Sequence, residues 1–275
     1  MDAFVCRTCG VQYPPAETPP PACPICQDER QYVGEGGQRW ATLAELATES
    51  HRCQVRELEP GLLGIGVTPP FAIGQRALLA CTPSGNLLWD PPGFLDGPAV
   101  EAVRERGTLA AVSASHPHFY GVLAEWSAAF GDAPILVPLA DRQWFPRPGP
   151  AVWLWADRLR LVPGITLVQC GGHFPGSAVA HWAAGAAGRG ALLTGDTISV
   201  VRDRRYVTFM RSYPNQIPLP ERSVRTIVER VGTYRFDRIY GGWWDSVVDA
   251  GAAAAVRRSA DRYVRWIRGE ADPDR

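Results

Sequence analysis

Two pairs of cysteines, Cys6-Arg7-Thr8-Cys9 and Cys23-Pro24-Ile25-Cys26, decide what the start of this chain can become. Two residues between thiols let one tight turn aim both sulfurs at a single ion, and two such knuckles complete a closed tetrahedral shell. Gly10, directly after the first knuckle, can supply the positive φ that such a turn needs. Residues 10–22 between the knuckles include Pro14-Pro15 and Pro19-Pro20-Pro21, a stiff spacer with no helix in it. A segment this short cannot fold on apolar burial alone, so an ion would supply most of its folding energy. Residues 1–40 are therefore expected to form a small unit around a structural Zn2+ on Cys6, Cys9, Cys23 and Cys26. It is expected to be a metal-stapled cap, whose loss through replacement of Cys6 or Cys23 leaves the rest of the protein in place.

The whole chain has 275 residues, room for one large domain, expected over 41–275, beside that appendage. Lys+Arg and Asp+Glu both number 28, so there is no basic excess of the kind that marks a nucleic-acid-gripping protein. Short basic runs at Arg202, Arg204, Arg205 and at Arg257, Arg258 read as solvated faces. No apolar run has the length of a membrane span and no leader pattern opens the chain, so a cytoplasmic protein is expected. Metal-type spacing for four of the seven cysteines suits a reducing compartment. Cys53, Cys81 and Cys170 read as small buried hydrophobes.

Past Gln54, short apolar runs alternate with helical patterns. Strands are expected at Leu62–Val67, Ala77–Cys81, Leu87–Trp89, Leu109–Val112, Ile135–Val137, Ile165–Gln169, Ala191–Leu193 and Arg238–Tyr240. Helices are expected near Gly97–Arg106, Gly121–Phe130, Glu221–Val231 and Asp249–Arg268. Several of these strands end at a side chain able to bind metal. The strand to Val112 leads to His116-Pro117-His118, that to Gln169 leads to Gly172-His173, and that to Leu193 leads to Gly195-Asp196. Two histidines two apart on an extended segment point the same way and can chelate one ion.

The succession Trp89-Asp90-Pro91-Pro92-Gly93, His116-x-His118, Gly172-His173-x-x-Gly176-Ser177 and Leu193-Thr194-Gly195-Asp196-Thr197 resembles the metallo-β-lactamase fold superfamily, with the spacing of its glyoxalase-II-like hydrolases. The resemblance spans roughly residues 55–268. It implies an α/β fold, an αββα sandwich with metals at one sheet edge, His173 as the third imidazole ligand, and Asp196 as a carboxylate ligand. The N-terminal knuckles resemble a zinc ribbon; rubredoxin knuckles are similar, but the spacer here is shorter.

The family motif His-x-His-x-Asp-His is cut short: the chain reads His116-Pro117-His118-Phe119-Tyr120-Gly121. The last family histidine, expected after the late strand, meets Gly241-Gly242-Trp243-Trp244-Asp245. One Zn2+ or Fe2+ is therefore expected on His116, His118, His173 and Asp196, with Asp245 and Tyr120 as unconventional replacements for a second set. The leading functional reading is a metal-dependent hydrolase acting on a small ester, thioester or lactone through a metal-bound hydroxide. Asp196 would hold the water and accept its proton, and Tyr120 would donate to the developing oxyanion. Two other readings stand beside it, an iron-binding redox or oxygen-handling protein and a non-catalytic binding protein on the same fold. His51 and His181 read as structural or surface histidines. The stretch Tyr206–Pro220, with Arg211, Tyr213 and Asn215, reads as a substrate loop or a polar surface excursion.

Overall fold

Strand alternation sorts the apolar residues into three layers, and this sorting builds the sandwich. In the computed structural model, which describes residues 1–270, the first sheet runs β4 (Arg52–Glu59), β5 (Leu62–Thr68), β6 (Ala77–Ala80), β7 (Asn86–Trp89), β8 (Leu109–Ser113), β9 (Ile135–Pro138) and β10 (Val152–Trp155) in spatial order. β4 to β7 form an antiparallel meander, and β8, β9 and β10 are added in parallel. Leu78, Leu87, Trp89 and Ala111 point to the inter-sheet core, while Leu79, Leu88 and Val112 point to the opposite face.

The second sheet contains β11 (Arg158–Val162), β12 (Ile165–Gln169), β13 (Ala178–Trp182) and β14 (Ala191–Leu193), then β19 (Arg238–Tyr240) and β20 (Val247–Val248). Ile165, Leu167, Ala178, Ala180 and Leu193 close the inter-sheet core, and Val168, Val179 and Leu192 face outward. Two short hairpins, β15 (Ser199–Val200) with β16 (Val207–Thr208) and β17 (Met210–Ser212) with β18 (Ile217–Pro218), intervene before β19. The expected α/β arrangement, helix layer, two sheets, helix layer, is therefore present.

Helices cover both outer faces. Short turns α1 (Pro24–Gln27) and α2 (Leu43–Thr48) belong to the N-terminal region; α3 (Gly97–Arg104) and α4 (Leu123–Ala129) lie on the first sheet. A single turn, α5 (Gly185–Gly188), precedes β14, and α6 (Glu221–Gly232) and α7 (Ala252–Ile267) cover the second sheet. Val224, Ile227 and Val231 recur at helical spacing along the buried side of α6. Asp96 starts α3 by accepting from the Ala99 backbone N–H, and Thr42 with Glu45 forms a capping box on α2. Among the described residues, no helix is long and apolar enough to cross a membrane.

The N-terminal segment folds as β1 (Asp2–Cys6) and β2 (Gln12–Ala16), with β3 (Trp40–Ala41) on the other side of β1. The spacer contains no helix, as expected, but Pro14 and Pro15 lie in β2, an edge strand where missing N–H groups cost nothing. Val5, Val11, Ile25 and Leu46 share one buried cluster with Leu79, Leu88 and Val112. The appendage thus packs into the outer layer of the first sheet.

Candidate active site

Four thiols meet inside the N-terminal segment. Cys6, Cys9, Cys23 and Cys26 are all buried, with Cys6 and Cys26 sulfurs 3.7 Å apart and Cys9 and Cys23 sulfurs 3.8 Å apart. A tetrahedral shell with bonds of about 2.3 Å places its sulfurs about 3.8 Å apart, so the donors fit a single ion. The Thr8 backbone N–H and Gln38 Nε2 donate to the Cys6 sulfur at 3.4 and 3.2 Å, and such donors spread the negative charge of a metal-bound thiolate. Gly10 has φ +81°, the conformation expected of it.

The second cluster is made by loops leaving both sheets on one edge. His116 and His118 follow β8, His173 follows β12, and one donor atom from each lies within 4.8 Å of the others. His118 Nδ1 and His173 Nε2 are 3.3 Å apart, which matches the edge of a shell with bonds of about 2.0–2.1 Å. Their orientations are set by neighbours. Ser115 Oγ contacts His116 Nδ1 at 2.9 Å, leaving Nε2 without a hydrogen-bond partner, and the Met210 carbonyl contacts His173 Nδ1 at 3.2 Å. Burial holds the His116 and His118 imidazoles well below their usual range and His173 at about 4, so all three are neutral and able to ligate.

Asp196 follows β14 in a turn fixed by Thr194 Oγ1 donating to the Ile198 carbonyl and Thr197 Oγ1 to the Ala178 carbonyl. Its Oδ2 lies 3.7 Å from His116 Nε2, and its Oδ1 is buried without a partner. Burial, with Asp90 beside it, pushes the carboxyl up to about 8. An orphaned carboxylate oxygen beside an orphaned imidazole nitrogen is the arrangement a divalent cation would satisfy. The structure thus brings His116, His118 and His173 together, with Asp196 at their margin beside His116.

Tyr120 is placed differently. It is buried with its ring edge on Phe145, beside Val11 and Gln12 of the N-terminal segment, and its hydroxyl has no partner. Burial, then the nearby Asp141, raises its phenol well above the usual value, so it stays protonated. Gly121 has φ +48°, and a Cβ there would collide with the Pro91 and Pro92 carbonyl oxygens. A Cβ on Gly242 would meet the Phe119 ring at 3.0 Å, and that ring lies 4.3 Å from the His116 ring. Asp245 is exposed and outside the cluster. Trp244 lies over Gly64 and Gly66 and under Arg56, on the sheet face.

Several positions near the site carry no isolated sequence signal. Asp90, in the quoted Trp89–Gly93 motif, is buried and accepts from the Ser115 backbone N–H at 2.6 Å, holding the segment that delivers His116. Its place at a strand end before two prolines was the available clue. Arg30 donates from Nε to the His173 carbonyl at 2.6 Å, and Asp141 Oδ1 accepts from the Gly176 N–H at 2.8 Å. Residues Arg211, Tyr213 and Asn215 are engaged in holding structure. Tyr213 donates to the Asp196 carbonyl at 3.0 Å, and Arg211 and Asn215 bind the segment after the second knuckle. His181 contacts the Arg235 carbonyl and His51 the Pro69 carbonyl, both away from the cluster. Cys170 is buried and pushed up to about 12 by that burial, an inert thiol.

Comparison with known structures places this geometry on a familiar scaffold. The structure of VMB-1 is similar at TM-score 0.57 and 11% identity, covering 78% of this chain and 98% of its own. The metallo-β-lactamase DIM-1 is similar at TM-score 0.54 and 12% identity, over 77% and 97%. MIM-1 from Novosphingobium pentaromativorans is similar at TM-score 0.51 and 19% identity, over 81% and 93%. These likenesses establish the fold. No family model matches the sequence. The Bacillus subtilis (strain 168) protein YmaE, described only as uncharacterized, is 41% identical over 272 residues, 98% of each chain. On that identity the chain belongs to the same family as YmaE, and its fold is that of the metallo-β-lactamases.

Proposed function

We propose that the protein is a metal-dependent hydrolase with one divalent cation on His116, His118, His173 and Asp196, acting on a small ester, thioester or lactone. The observation that carries the reading is the convergence of three neutral imidazoles, with the Asp196 carboxylate beside His116 and its other oxygen without a partner. Zn2+ or Fe2+ suits this donor set, and Zn2+ suits the thiol cluster. A bound cation would supply Lewis acidity and make water a nucleophile near neutral pH.

The remaining work falls to the chain itself. Asp196, held by Thr194, Thr197 and Tyr213, orients the attacking water and accepts its proton. Phe119 and Phe174, packed against the imidazoles, exclude bulk water. The histidines are at most 2% exposed and Asp196 is 7% exposed, which favours a small substrate. Tyr120, a neutral phenol two residues past His118, is retained as the proposed oxyanion donor. Gly121 and Gly242, each pressed against its neighbours, favour one cation over two. The unpaired thiols suit a reducing, cytoplasmic setting.

The test is elemental analysis of protein purified without added metal, for wild type and a His116→Ala/His118→Ala variant, followed by an ester and thioester screen. Two ions falling to one, with hydrolysis lost, is the expected result. One ion in both proteins, or hydrolysis surviving the double replacement, would remove the proposal.

A further inference from the structure

The chain leaves the second knuckle at Cys26, ends α1 at Gln27, and by Arg30 is in contact with the imidazole cluster. Asp28 Oδ1 accepts from the Arg30 backbone N–H at 3.0 Å and from its Nη1 at 2.6 Å, which locks the side chain in a closed loop. The Arg30 Nε then donates to the His173 carbonyl at 2.6 Å, and its guanidinium carbon lies 4.3 Å from the centre of the Phe174 ring. Arg30 is only 7% exposed, so these contacts are shielded from water. Such a combination needs a planar fork with donors on two sides, which a lysine ammonium does not provide.

The same short segment also holds the other side of His173. The imidazole Nδ1 faces the Met210 carbonyl, and Met210 begins β17. Ser212 Oγ donates to the Arg30 carbonyl at 3.1 Å, and Asn215 Nδ2 donates to the Glu29 and Gln31 carbonyls at 2.9 and 3.2 Å. Arg211 pairs with Glu29 at 2.5 Å. One short tail thus grips the loop that carries the imidazole and the hairpin that fixes its ring orientation. Across the cluster, the Gln12 N–H donates to the Gly121 carbonyl at 3.0 Å, so the first half of the appendage touches the loop of the other two histidines.

We infer that Arg30 is a positioning residue for His173, and that the thiol knuckle, by anchoring Arg30, is a working part of the imidazole site. This rests on the reading that the imidazoles hold a cation, and it replaces the expectation of an independent cap. Loss of the thiol-bound ion frees residues 28–31, and His173 loses its hold on both sides. The His site then loses affinity although none of its own ligands has changed.

The test is cobalt titration of the full, metal-stripped chain, with hydrogen exchange on the same samples. Thiolate-to-cobalt charge-transfer absorption reads the four-thiol cluster; the weaker ligand-field bands read the imidazole cluster. In Arg30→Ala the thiolate band is expected unchanged, while imidazole-site affinity falls roughly 10–100-fold. Amides of 171–177 and 210–213 are expected to exchange faster, and Arg30→Lys is expected to lie between wild type and Arg30→Ala. Cys23→Ser is expected to weaken both sites. Imidazole-site affinity within about twofold of wild type in Arg30→Ala would overturn the inference. So would a Cys23→Ser protein that folds and keeps that affinity. If wild type itself shows only the thiolate band, the hydrolase proposal falls; exchange at 171–177 then decides the role of Arg30 alone, faster exchange in Arg30→Ala supporting it and unchanged exchange overturning it.

Discussion

The thiol cluster draws all its donors from residues 6–26, while the imidazole cluster draws on three separate loops between residues 116 and 196. The first gathers four buried sulfurs, two pairs of them 3.7 and 3.8 Å apart, the donor number of a closed tetrahedral shell. The second has three imidazoles and a carboxylate with a partnerless oxygen, the pattern of a site that keeps a position open. A closed donor set leaves an ion no further ligand, whereas an open one would leave it a free position. The difference also assigns the burden of support: the thiols are placed by their own local turns, whereas the imidazoles depend on contacts as distant as Arg30 to His173.

The largest break of this contrast comes from the closed cluster. Cys9→Ser removes one of four donors from a segment with little core of its own, where a structural ion supplies on the order of 10 kcal/mol. Residues 1–41 should lose their exchange protection and become open to limited proteolysis; a protected segment would mean that packing on the first sheet suffices. Next comes Gly121→Ala, which places a methyl against the Pro91 carbonyl at a positive φ. It should cost about 2–4 kcal/mol, read as a lowered melting temperature.

A smaller effect separates the clusters by proton release. In the metal-free protein Asp196 sits at about 8, so below that pH a cation must displace its proton, whereas His173 at about 4 and its neighbours are already neutral. Affinity at the imidazole site should therefore fall about tenfold for each pH unit below 8, with about one proton released per ion near pH 7. Titration calorimetry in buffers of different ionisation enthalpy measures this directly, and a pH-independent affinity would separate Asp196 from the ion. The smallest expected change is in Tyr120→Phe. Its hydroxyl has no partner, so stability should stay within about 1 kcal/mol. A drop in turnover with cobalt affinity unchanged would mark it as an oxyanion donor, and unchanged turnover would leave it a packing residue.

What the sequence made legible followed from periodicity and local spacing. The strands ending at Ser113, Gln169 and Leu193 and the helix over Glu221–Gly232 lie where alternation and helical spacing put them. β13 was harder to see, because Ala178-Val-Ala-His-Trp182 is dominated by small residues that fit between two neighbouring strands. β10 carries exposed Trp153 and Leu154 on a sheet edge, against the usual inward pattern. In the candidate site, the side chains gathered on the expected loops were legible as strand-end histidines and an aspartate. Their supports were not. Arg30 sits in a polar run, Asp28-Glu29-Arg30, with no periodicity, and its partner lies far along the chain. The Tyr206–Pro220 stretch reads equally as a substrate loop or a polar surface excursion, because its polar side chains are visible in the sequence and their backbone partners at 29–31 are not.

The Gly121 backbone limits what this scaffold can be made to hold as well as its shape. Its amide and carbonyl region is packed between Pro91-Pro92 on one side and the Gln12 N–H on the other. Putting a histidine at that position would not create a two-ion centre, because the side chain would have to displace main chain before reaching any ligand. Making room for it would mean rebuilding the proline turn and detaching the N-terminal hairpin first, each step destabilising before any second ion could offset it. The Gly121 backbone thus works against a second set of ligands here, and attempts to engineer new chemistry should start from the three imidazoles already gathered.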